Sequence, residues 1–198
     1  MKAILTAALI VLLASAASAQ FKKGDFEMML LGTVGSHTEK TKITYEGSSS
    51  LETEYDESHS YAYVSFLPAF YFIDGLAAEV ELGLRASEGD RPTQTAILHL
   101  AYTHPLPRSS VALFARAGYG MSNGFSVPVF YEQVRGSNDF DISIINLGAG
   151  AKFMLGRTAL LRAEINYRMQ SYSEEEGLMK GEWTRNTIAL LMGVGVVL

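Results

Sequence analysis

The sequence predicts an all-β protein, an eight-stranded antiparallel up-and-down transmembrane β-barrel, on three observations. Segment after segment alternates with period two, the apolar parity is free of charge, and where charges occur they fall on the other parity. The connections between these segments alternate between short and long. Beyond the N-terminal region no apolar run approaches the ~20 residues a spanning helix needs, so any membrane crossing must be made by strands.

Composition narrows the field. The 198-residue chain is 48% hydrophobic and 19% charged, with 18 glycines, five prolines, no cysteine and a formal net charge of -5. This is a folded rather than a disordered composition, sized for one domain. Its acidic balance argues against a nucleic-acid surface, so no nucleic-acid partner is expected. The absence of cysteine excludes disulfides, thiolate metal sites, Cys nucleophiles and a lipidated N-terminal cysteine. No Gly-rich phosphate loop, zinc spacing or dinucleotide fingerprint occurs, and no cofactor is implied.

Residues 1–19 read as a cleaved signal sequence. Lys2 supplies the positive start, Ala3 to Ala14 the apolar run, and Ala17-Ser18-Ala19 a small-residue cleavage site before Gln20. The barrel domain is then expected over 20–198.

The first strand sets Phe26, Met28 and Leu30 against Glu27. The second, Ser60 to Phe72, is apolar on both faces, with Tyr61, Tyr63 and Ser65 marking a polar side. In the third, Ala78, Val80, Leu82, Leu84 and Ala86 oppose Glu79, Glu81, Gly83 and Arg85; in the fourth, Ala96, Leu98, Leu100 and Tyr102 oppose Thr95 and His99. The fifth opposes Val111, Leu113, Ala115, Ala117 and Tyr119 to Ala112, Phe114, Arg116, Gly118 and Gly120. The sixth opposes Ile145, Leu147, Ala149, Ala151 and Phe153 to Asn146, Gly148, Gly150 and Lys152. The seventh, from Ala159, carries Arg162, Glu164, Asn166, Arg168 and Gln170 on one parity, with Leu161, Ala163, Ile165, Tyr167 and Met169 on the other. The eighth runs from Thr187 to Leu198 and alternates Ile188, Leu190, Met192, Val194 and Val196 with small residues. A helix would place its bulky residues at three- and four-residue steps instead.

Phe72 to Leu76, Pro105 to Ser110 and Gly156-Arg157 are tight, turn-rich links, whereas His37 to His59, Met121 to Asn138 and Ser171 to Glu182 are long and polar, with Ser87 to Pro92 shorter. Short turns at one end and long loops at the other are the outer-membrane arrangement, turns in the periplasm and loops outside.

A soluble lipocalin-like barrel shares the strand number, so the direction of the apolar face decides. The charge-free parity runs about ten residues per strand, the length of a tilted membrane strand, and a Lys or Arg at mid-bilayer on that face would cost roughly 2–4 kcal/mol. The polar parity is rich in glycine and alanine, which suits a narrow lumen. Aromatics near strand ends (Phe26, Phe72, Tyr102, Tyr119, Phe153, Tyr167, Tyr172, Trp183) are candidates for interfacial girdles.

With a signal sequence, eight amphipathic strands and a last strand apolar at alternate positions to the C-terminus, the chain resembles the small outer-membrane barrels of the OmpA/OmpX/OmpW-like group. The resemblance covers Gln20 to Leu198 and is architectural. It implies a bacterial outer-membrane location, contact with outer-membrane lipid and lipopolysaccharide, and delivery to the barrel-insertion machinery through Ile188 to Leu198. In that group the last strand commonly ends in an aromatic residue; here Leu198 holds the place. No peptidoglycan-binding domain is expected after the eighth strand.

Three groups carry potential chemistry. Glu27, Glu79, Glu81 and Glu164 against Arg85, Arg116, Lys152, Arg162 and Arg168, with His99 and Asn146 among them, form the expected inward charge network. Near balance is what a lumen too narrow for bulk water requires, although the same residues would suit a narrow porin-like path. His37, His59 and Ser60, with Ser36, Ser58, Glu39, Asp56 and Glu57, flank the first long loop as a speculative rim site for acyl transfer or a metal, making a lipid-modifying hydrolase the least favoured reading. Glu46, Glu52, Glu54, Asp56, Glu57 and Glu174 to Glu176 make the loops acidic, the surface expected to meet an extracellular ligand. The expected role is structural or adhesin-like rather than enzymatic.

Overall fold

The computed structural model describes residues 21–45, 51–87, 92–123, 142–176 and 179–198, with side chains described outside 36–59 and 173–183. The signal sequence expected over 1–19 lies outside them. Eight strands, β1 (Phe26–Tyr45), β2 (Leu51–Ile73), β3 (Leu76–Ser87), β4 (Thr93–Pro105), β5 (Val111–Ser122), β6 (Ile142–Leu155), β7 (Ala159–Glu176) and β8 (Met179–Val197), pair in sequence order. β8 returns to β1 and closes the barrel. Every junction is antiparallel.

The turn end is tight because its sequence can bend there. Asp74-Gly75 joins β2 to β3 with Gly75 at φ 75°, a left-handed conformation natural to glycine, and Gly156 at φ 85° does the same between β6 and β7. Closure is completed by Leu198, whose backbone N–H donates to Phe26 O at 2.8 Å, while Phe26 N–H donates to Leu198 O at 3.1 Å.

At the loop end the strands run further than hydrophobic alternation indicates. His37 to His59 is not one long loop: β1 continues to Tyr45 and β2 begins at Leu51, with paired register from Phe26↔Phe70 to Tyr45↔Leu51. Ser171 to Glu182 is likewise mostly strand, since β7 reaches Glu176 and β8 starts at Met179. The physical reason is that strand beyond the ~10 residues a membrane crossing needs is under no demand for an apolar face. It keeps its backbone ladder without needing an apolar parity, so the pattern that reveals membrane strands fades there. Of Met121 to Asn138, Met121 and Ser122 belong to β5, and 124–141 lies outside the described residues.

The faces divide cleanly. Leu30, Leu82, Leu98, Leu100, Ile165, Leu190 and Met192 all point outward and are exposed. Among strand residues with described side chains, none on this outward parity is Lys, Arg, Asp or Glu. Phe26, Phe70, Tyr102 and Phe153 are exposed near the turn end, and Tyr119 and Tyr167 toward the loop end; the Trp183 side chain lies outside the described ones. The interior holds Glu27, Glu79, Glu81, Arg116, Lys152, Arg162 and Glu164, all buried. A water-soluble barrel would have these faces exchanged.

Candidate functional site: the ionic lumen

The interior is built from the charged parity of β1, β3, β5, β6 and β7, and it rises as a continuous column of ion pairs. At the turn end Lys152 Nζ lies 2.7 Å from Glu27 Oε2 and 2.9 Å from the Tyr71 hydroxyl. That hydroxyl donates to the same Glu27 oxygen at 2.9 Å. Phe21, from the segment before β1, packs against the Tyr71 ring at 5.4 Å between centroids and closes this end from below. Backbone bonds from Gly75 N–H to Phe21 O (2.8 Å) and from Gly24 N–H to Tyr71 O (2.7 Å) tie the segment to the turn.

One layer up, Arg162 donates through Nη1 to Glu79 Oε1 at 3.1 Å and through Nε to Glu164 Oε2 at 3.0 Å. Its guanidinium carbon lies 4.0 Å from the Phe114 ring centroid. Arg116 takes the other Glu164 oxygen through Nε at 2.8 Å and reaches Glu81 Oε2 through Nη1, also at 2.8 Å. Asn166 donates to Glu164 Oε1 at 2.7 Å and exchanges amide hydrogen bonds with Asn146 at 2.9 and 3.0 Å. His99 Nε2 sits 3.2 Å from Asn146 Oδ1 and 3.7 Å from Glu81 Oε2.

Toward the loop end, Arg168 Nη2 donates to Glu81 Oε1 at 2.7 Å, and the Tyr63 hydroxyl donates to the same oxygen. The Arg168 guanidinium stacks 4.5 Å over the Tyr63 ring, and that of Arg85 lies 4.3 Å over Tyr61. Arg85 also donates to Gln170 Oε1 at 3.4 Å, a long contact at the mouth.

Chemically, each buried carboxylate meets at least one cation. An isolated charge here would cost several kcal/mol, whereas shared guanidinium forks satisfy several oxygens at once. The lumen is also too narrow to hold much else. A methyl group at Gly83 would strike the Tyr63 hydroxyl, and one at Gly148 would strike Glu164 Oε1. The small residues of the inward parity leave room for the long charged ones.

All nine charged positions singled out in the sequence, with His99 and Asn146, lie on the inward face, but the column has members that alternation alone does not reveal. Tyr71 is a hydrogen-bond partner of Glu27 and sits in β2, whose inward face also includes Leu67 and Ala69, so charge does not mark it; Tyr63, on the side of β2 expected to be polar, partners Glu81. Arg185 is buried in β8 two residues before the apolar pattern begins. At the speculative rim site, register places His37 opposite His59 and Ser36 opposite Ser60, within paired strand rather than at a loop mouth. Ser60 is exposed. Among the described residues, no group of three or more His, Cys, Asp or Glu is arranged to hold a metal ion.

No family model matches the chain, and no curated protein sequence matches it. Among solved structures the chain is similar to the outer membrane protein OprG from Pseudomonas aeruginosa, at 15% identity over 89% of this chain and 97% of that one, with a TM-score of 0.47. It is similar to Neisserial surface protein A at 16% identity over 88% and 99%, with a TM-score of 0.48. It is also similar to Ail, the attachment invasion locus protein of Yersinia pestis, at 11% identity over 89% and 99%, with a TM-score of 0.37. A charge-free apolar band outside and a paired ionic column inside are the surfaces of a barrel that spans a membrane. The protein is a small eight-stranded transmembrane β-barrel of the outer-membrane type.

Proposed function

We propose that the protein is a structural and surface-interaction barrel, adhesin-like rather than channel-forming or enzymatic, and that it acts through the strand extensions and loops on its outer side. The observation that carries this reading is the filled lumen: Lys152–Glu27, Arg162–Glu79, Arg116–Glu164 and Arg168–Glu81 follow one another across the interior with their carboxylates fully buried. Parts that face outward are then left to do the work. β1 and β2 are 20 and 23 residues long, against 12 for β3, and a membrane strand needs only about ten. At roughly 3.3 Å per residue the excess carries this hairpin well beyond the bilayer. Its sequence there is dense in charge, with Glu39, Lys40, Lys42, Glu52, Glu54, Asp56 and Glu57.

The test is surface display. Bacteria carrying the full chain are expected to adhere to cultured epithelial cells more than bacteria whose barrel has residues 39–57 replaced by a short Asn-Gly turn, at equal surface abundance. Equal adherence by the two strains would contradict the proposal.

A further inference from the structure

Apart from a register shift at the β2–β3 turn, between Tyr71 and Ile73, the barrel ladder of the described residues is interrupted at two places within the wall. One is at Leu67 and Pro68, between Phe66↔Leu82 and Ala69↔Glu79, where proline has no N–H to give. The other has no proline. Between β1 and β8 the pairing runs from Glu27↔Val197 to Gly32↔Met192, stops, and resumes at Thr38↔Asn186. The register on the two sides of the gap is the same, so no residue has been inserted. The strands part over 33–37 and 187–191 and then rejoin.

Unladdered backbone in a membrane wall is tolerated only where it borders protein or a polar cavity, and a cavity lies directly behind this seam. Thr33, Thr187, Ala189 and Leu191 line it from the seam strands, Tyr63 and Arg168 from the strands paired directly beside them, and Arg85 from β3. It is small, with room for a water or the oxygens of one small group. Two arginines line it and no acidic residue does. Two of its polar atoms, Arg168 Nε and Thr187 Oγ1, are buried without a hydrogen-bond partner. Their residues are only 7% and 6% exposed, so bulk water does not serve them freely. Both can donate, and together they ask for an anionic acceptor.

The seam's depth and its outer face say where that acceptor would come from. Ile188 pairs with Tyr167, whose hydroxyl donates to Asn186 Oδ1 at 2.9 Å, so the opening lies level with the loop-end aromatics, at headgroup depth. On the lipid side Val34 is 81% and Ile188 74% exposed, the highest values among the described large apolar side chains. An apolar outer surface thus meets, through a gap in the wall, a pocket with two unpartnered donors, although Arg168 Nη2 is itself paired with Glu81.

We propose that this seam is a lateral port for a single-chain anionic amphiphile, a long-chain carboxylate. Its carboxylate accepts from Arg168 Nε–H and the Thr187 hydroxyl, and its alkyl chain stays in the lipid beside Val34 and Ile188. The pocket's size favours a carboxylate over a phosphate headgroup. This site is independent of the surface role proposed above and leaves the lumen closed beneath it.

The experiment follows backbone amide NMR signals of the protein in phosphatidylcholine nanodiscs titrated with palmitate, and in parallel arms with acetate and with methyl palmitate. Palmitate is expected to shift the amides of Thr33 to Gly35 and Ala189 to Leu191 saturably. Thr187→Val, which removes only the unpartnered hydroxyl, should weaken that response about tenfold. Arg168→Lys keeps a cation beside Glu81, loses Nε, and should act likewise. In this cysteine-free chain an oxidised Val34→Cys/Leu190→Cys staple across the seam should abolish the response, while Leu30→Cys/Val194→Cys in the laddered stretch below should not. Acetate saturating the same amides at a comparable concentration would overturn the lateral route. An equal response to methyl palmitate, shifts spread around the barrel, or no saturable shift because the pocket holds water only, would overturn the site.

Discussion

Lys152 and Glu27, 125 residues apart in the chain, meet across the lumen with Nζ 2.7 Å from Oε2 and neither side chain exposed. The pair joins the sixth strand to the first and anchors the turn-end layer of the column. Removing one partner strands the other as a buried charge. Lys152→Ala is therefore expected to lower the unfolding free energy in lipid vesicles by about 3–5 kcal/mol, read from the denaturant midpoint, and Lys152→Met combined with Glu27→Leu should recover most of the loss. A single variant as stable as the parent would mean that the pair is not buried.

Arg116 joins three carboxylates, lying within 2.8 Å of both Glu164 and Glu81 and 3.5 Å of Glu79. Arg116→Ala should cost at least as much as Lys152→Ala, about 3–5 kcal/mol, and Glu81→Ala should also destabilise because it releases Arg116 and Arg168 together. A double-mutant cycle between Arg116 and Glu81 checks the coupling. Additive effects would contradict a shared network.

Gly148 tests the narrowness of the lumen. A Cβ there would collide with Glu164 Oε1 and stand 3.2 Å from Arg116 Cγ, so Gly148→Ala should cost about 1–3 kcal/mol by pushing the carboxylate off its partners. Thermal or denaturant midpoints measure it, and a neutral outcome would mean that the interior has slack.

The outer face makes the opposite demand. Leu98 is 62% exposed on β4 between two charge-free neighbours of the same parity, Ala96 and Leu100. Leu98→Arg is expected to cost about 2–4 kcal/mol in a bilayer. The check is the refolding equilibrium into vesicles, where an unchanged midpoint would place this face away from lipid.

How much of this was legible beforehand depends on which face a residue meets. From Ala159 to Gln170 the two parities differ in charge, and both strand and orientation follow from the sequence. In β2, Leu67, Ala69 and Tyr71 face inward as Pro68, Phe70 and Phe72 face outward, so nothing in residue type alone marks Tyr71 as the bridge between Lys152 and Glu27. Phe21 was equally hidden, because it closes the lumen from outside any strand. The extended hairpin is not legible because Thr38 to Tyr45 and Leu51 to Ser58 lack a continuous apolar parity for alternation to mark. The seam at Thr33 to Gly35 is a property of two strands diverging, which no single-strand pattern carries.

The central claim, that the charges are turned inward, paired and packed shut, is tested most directly by single-channel recording of the refolded protein in a planar bilayer. Folding is first verified by the different gel migration of boiled and unboiled samples. The account predicts an electrically silent barrel. Reproducible discrete conductance steps from the folded protein would contradict it and make Arg116 and Glu81 residues of an ion path.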